Sequence, residues 1–107
     1  MDLKSIGAEL GLEEDEFVEI VEIFIETAAQ DITKLREAIT AQDFEALTEA
    51  AHSLKGSAGN LGFNEIYSLS KKIEENARVF SIDGLSETLV AIEAITQEIE
   101  RAVASHH

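Results

Sequence analysis

The chain has 107 residues, 45% of them hydrophobic, with 22 acidic against 8 basic side chains and a formal charge of −14. That acidity argues against nucleic acid and anionic membranes as partners, because phosphate binding needs lysine and arginine. The absence of cysteine excludes disulfides, thiolate metal sites and cysteine catalysis, and the absence of proline favours helices around a single core.

Asp2 is placed to cap a short helix carrying Leu3, Ile6 and Leu10 and ended by Gly11, a lid on the end of a bundle. A long helix is predicted over about 13–40, with Phe17, Ile20, Val21, Phe24, Ala28, Ile32, Leu35 and Ile39 as its apolar stripe. Glu13, Glu14, Asp15 and Glu16 fill its first turn, where negative charge complements the helix dipole. Asp43 caps a helix over about 44–60, which Gly62 closes. Asn64 caps the next, with Ile66, Leu69, Ile73, Ala77 and Phe80 on its buried side. Asp83 caps the last, which bears Leu85, Leu89, Ile92, Ile95, Ile99 and Val103.

Four amphipathic helices with short connections predict an all-α fold. The expected form is an antiparallel up-down-up-down four-helix bundle with a short additional N-terminal helix. Residues 1–105 read as one domain, and 106–107 as a disordered tail or tag remnant on a frayed end. No apolar run of about 18 residues and no basic leader segment is present, so the expectation is a soluble, cytoplasmic protein. Charge is spread unevenly. Residues 55–78 carry Lys55, Lys71, Lys72 and Arg78 against Glu65, Glu74 and Glu75, a net of +1 within an otherwise acidic chain. Such a patch suits a small anionic group or an acidic pocket on a partner, although ordinary helix-end cations produce the same count.

The most informative stretch runs from Ala50 to Gly62 and holds the one histidine outside the C-terminus. Phe44, Leu47, Ala51, Leu54, Ala58 and Leu61 form an apolar stripe, and at roughly 100° per residue His52 points about 130° from its centre. The imidazole is therefore expected in solvent. Gly56 and Gly59 lie on the same face, where each costs the helix about 1 kcal/mol relative to alanine. Their absent side chains would let another protein's backbone approach the ring. An exposed neutral imidazole attacks phosphorus through a nitrogen lone pair, and Lys55, one turn on, could offset phosphoryl charge. No phosphate-cradling loop ending in Lys-Ser/Thr is present, so the chain is not expected to draw a phosphoryl group from ATP or to act as an enzyme with kinase activity of its own.

Ala51-His52-Ser53-Leu54-Lys55-Gly56-Ser57-Ala58-Gly59-Asn60-Leu61-Gly62 resembles the signature of histidine-containing phosphotransfer (HPt) domains of multistep phosphorelays. Phe24-Ile25-Glu26 through Leu35, and Asp43-Phe44-Glu45-Ala46-Leu47, extend the likeness over about 20–80. The resemblance implies that His52 accepts a phosphoryl group from a receiver-domain aspartyl-phosphate and passes it to another receiver aspartate. It implies response-regulator receivers and a hybrid sensor histidine kinase as partners. No cofactor is expected in this chain, the divalent metal being supplied by the receiver. By the same resemblance Lys55 assists electrostatically and Gly56 leaves room for the partner loop. Many members carry glutamine on the neighbouring helix, where it helps orient the histidine, whereas this chain has Glu74. A carboxylate can hold the imidazole tautomer yet would repel a phosphoryl group; the alternative is a plain solvent-facing glutamate.

Glu49-Ala50-Ala51-His52 has the form of a di-iron ligand motif, but such sites need two of them and inward-facing carboxylates. No serine or cysteine nucleophile with an orienting third residue accompanies the histidine, which leaves hydrolysis unsupported. The serious rival is a receiver-binding helical module that carries no phosphate, and the joint presence of His52, Lys55 and Gly56 speaks against it. A monomer is expected, free-standing rather than excised from a hybrid kinase. Ile6, Leu10 and Leu12 are candidate apolar anchors for a docking partner.

Overall fold

The computed structural model covers residues 1–107 and contains five helices and no strand. Helix α1 spans Leu3–Glu9, α2 Glu14–Ala41, α3 Phe44–Asn60, α4 Asn64–Arg78 and α5 Leu85–His106. The four long helices close a ring of contacts, α2 on α3, α3 on α4, α4 on α5 and α5 on α2, while α1 packs on α2. Their inward stripes merge into one cluster that includes Phe17, Leu35, Leu47, Leu54, Ile66, Ile73, Leu85, Ile92 and Ile99, all fully buried. No helix is long and apolar enough to cross a membrane.

Local chemistry sets most helix boundaries. Asp2 accepts the Ser5 N–H at 3.1 Å, satisfying a free donor at the start of α1. The Glu13 N–H donates to the Glu16 carboxylate at 3.0 Å at the start of α2, and Asp43 accepts the Ala46 N–H at 3.1 Å at the start of α3. Gly62, at φ +79°, closes α3 as expected, with the Phe63 N–H reaching back to the Ala58 carbonyl.

Two caps and two burial assignments differ from the sequence reading. Asn64 is the first residue of α4 instead of its cap, and Phe63 holds the cap position without a side-chain bond. Gly84, at φ +72°, replaces Asp83 as the residue leading into α5. Phe80 is 75% exposed, because α4 ends at Arg78 and the chain turns left-handed at Phe80 (φ 57°), so the helical period no longer places its ring. The ring instead meets Phe44 edge-on at 5.6 Å. Ile20 also lies outside the core, and Val18 and Ala38 take inward positions on α2.

At the C-terminus, α5 continues through His106, whose imidazole lies 2.8 Å from Asp15. Helix α1 is seated closely because Gly7 has no side chain; a Cβ there would stand 2.8 Å from that of Phe17. Of the suggested anchors, Leu10 is exposed, while Ile6 and Leu12 pack half-buried against the core.

Candidate functional site

The site is built across α3 and α4. The side chain of His52 is 67% exposed, as its angle from the apolar stripe requires. Glu74 on α4 is buried, its carboxylate turned toward α3, and its Oε2 lies 2.8 Å from His52 Nδ1. A carboxylate only accepts, so the neutral ring carries its proton on Nδ1 and presents a lone pair on Nε2. That second nitrogen is the available nucleophile.

Glu74 also accepts from Lys55 Nζ, 2.7 Å from Oε1, and from Arg78 Nη2, 3.0 Å from Oε2. Burial pushes the Glu74 carboxyl up, but the hydrogen bonds from Lys55 and His52, with the charges of Lys55 and Arg78, together hold it below its ordinary value. The sequence left this residue open between an orienting group and a plain surface glutamate; its burial and three partners exclude the solvent-facing form. Arg78 was missed as a member of the site. Its spacing of four residues from Glu74 on one helix was the available signal.

The two glycines differ in kind. A Cβ at Gly56 would meet nothing within 4 Å, so the surface beside His52 is open there. A Cβ at Gly59 would lie 3.0 Å from the Tyr67 ring. The space above Gly59 is thus occupied by α4, and this glycine sets the close approach of α3 and α4 rather than clearing a path for a partner.

On the other side of α3, Ser53 Oγ donates to Asp31 Oδ2 at 2.9 Å. Asp31 is buried on α2, and burial raises its carboxyl above the ordinary value against the opposing Ser53 bond and Lys34 charge. An acid inside an apolar stripe carries no clear sequence signal, and this pair was missed. A groove between α2 and α3, lined by Ile20, Ile23, Thr27, Ser57 and Leu61, runs beside it.

The site is thus an exposed histidine on one helix, tied through Nδ1 to the next helix of an all-α fold. Residues 19–105 match the Hpt domain. The chain belongs to the Hpt domain family. The crystal structure of histidine-containing phosphotransfer protein B (HptB) from Pseudomonas aeruginosa PAO1 is similar, with a TM-score of 0.84 and 23% identity over 99% of this chain and 92% of that one. At that identity the likeness is one of fold, and it places this Hpt domain on the HptB backbone from end to end. No curated protein sequence matches the chain.

Proposed function

We propose that this Hpt domain is a phosphocarrier. His52 Nε2 attacks the phosphorus of a receiver aspartyl-phosphate, the bond from phosphorus to the aspartate oxygen breaks, and the carboxylate departs. The ring keeps its Nδ1 proton, hydrogen-bonded to Glu74, and the phosphoryl group then passes by the reverse attack to an aspartate of another receiver. The observation that carries this reading is the pairing of an exposed Nε2 with an Nδ1 held at 2.8 Å by a buried carboxylate. The divalent cation of such a transfer belongs to the receiver in this reading. A hybrid sensor kinase is the upstream source, and the domain works as a cytoplasmic monomer.

The scaffold we infer is an antiparallel up-down-up-down bundle. Cross-helix partners support it, since Asp15 at the start of α2 meets His106 at the end of α5 while Arg36, late in α2, meets Glu93, earlier in α5. Gly59 opposite Tyr67 and His52 opposite Glu74 place later residues of α4 against earlier residues of α3.

The test is phosphotransfer profiling. Phosphorylated receivers are mixed briefly with the wild type and with His52→Gln. Acid-labile label on the wild type alone supports the carrier. Binding to a receiver that survives the substitution, with no label on either protein, replaces it with the docking module.

A further inference from the structure

When Nε2 bonds to phosphorus, the imidazole becomes cationic, since its Nδ1 proton is retained. An anion at Nδ1 stabilises that charge more than a neutral amide would. The same anion opposes the arriving phosphoryl group. Glu74 therefore helps only if it stays on the ring and its charge is matched. Lys55 holds Oε1 at 2.7 Å and does not itself fix Oε2. Arg78 shares the other oxygen, Oε2, with His52, at 3.0 Å against 2.8 Å.

We propose that Arg78 is a positioning residue for phosphoryl transfer: it fixes Glu74 Oε2 on His52 Nδ1 and leaves the cluster of Glu74, Lys55 and Arg78 with one net positive charge toward the incoming phosphoryl group. The inference rests on the phosphocarrier reading for its rate consequences and not for its tautomer consequence. Arg78 is 64% exposed, but its partner Glu74 is buried, so losing the guanidinium costs some stability as well as the alignment of Oε2. Its effect is on the ring, through Glu74.

The experiment compares wild type, Arg78→Gln, Glu74→Gln and the double variant. One readout is the 15N spectrum of the unphosphorylated His52 ring; the other is its rate of phosphorylation by phosphoramidate, in which ammonia leaves as the new N–P bond forms. The expected wild-type ring is the Nδ1–H tautomer, with Arg78→Gln still folded and melting cooperatively but showing a mixture of tautomers. Arg78→Gln is expected to slow phosphorylation about fivefold when Glu74 is present and less than about twofold in the Glu74→Gln background, the signature of coupled residues. Equal slowing in both backgrounds overturns the proposal, since Arg78 then acts on the phosphoryl group itself. An unchanged tautomer and rate in Arg78→Gln also overturns it. If no donor or receiver phosphorylates the wild type, the phosphocarrier reading fails, and the ring spectra alone decide the role of Arg78.

Discussion

Ser53 and His52 are neighbours in sequence, yet they tie α3 to opposite sides of the bundle. Ser53 donates to buried Asp31 on α2 at 2.9 Å, and His52 meets buried Glu74 on α4 at 2.8 Å. This stretch of α3 is thus held between two carboxylates of opposite character. One is pulled below its ordinary value by cations, and the other is raised by burial.

That contrast gives opposite pH dependences. A depressed carboxyl stabilises the fold above its unfolded value, near 4.5 for Glu74, and the contribution is lost as pH falls through the lower folded value. Glu74→Gln should cost about 1.5–3 kcal/mol at pH 7, the worth of a hydrogen bond to a charged group. The gap from wild type should close below pH 4.5. Denaturant melts at a series of pH values measure it, and a gap that widens in acid would contradict the assignment.

Asp31 has the reverse sign. Its folded value lies above the ordinary 3.8, so ionisation at neutral pH works against folding and protonation relieves the cost as pH falls. Asp31→Asn keeps an acceptor for Ser53 and removes the charge. It should melt higher than wild type at pH 7, with the advantage shrinking toward pH 3.8. A lower melting temperature at neutral pH would show that the charge is needed.

His52→Gln should remain folded, because Lys55 and Arg78 still satisfy Glu74 and the lost ring is exposed. The expected change in unfolding free energy is within about 0.5 kcal/mol, typical of surface positions. Circular dichroism melts check this beside the loss of phosphorylation.

Gly56 and Gly59 should separate. Gly56→Ala meets open space and should stabilise α3 by about 1 kcal/mol, and Gly56→Leu should stay folded while transfer from a receiver is blocked. Phosphorylation of Gly56→Leu by phosphoramidate should persist, since the small donor needs no docking. Gly59→Leu drives a side chain into Tyr67 and should destabilise by about 1–3 kcal/mol, the usual cost of overpacking. Normal receiver transfer by Gly56→Leu would remove the clearance argument.

The helix count, the Asp2 and Asp43 caps and the exposure of His52 were legible in the sequence. Each depends on periodicity or capping within a few residues of chain. The Hpt signature around His52 is local in the same sense, and so is the open surface at Gly56. Other features depend on how one helix is set against another, which a helical wheel does not contain. The packing of α4 on α3 buried Glu74, recruited Arg78 to it and placed Tyr67 over Gly59. The packing of α2 on α3 paired Asp31 with Ser53. The left-handed turn after α4 sent Phe80 outward, because a period continued past a helix end no longer describes direction. Sequence alone marked His52 as exposed; the inter-helix register decided which of its nitrogens faces solvent.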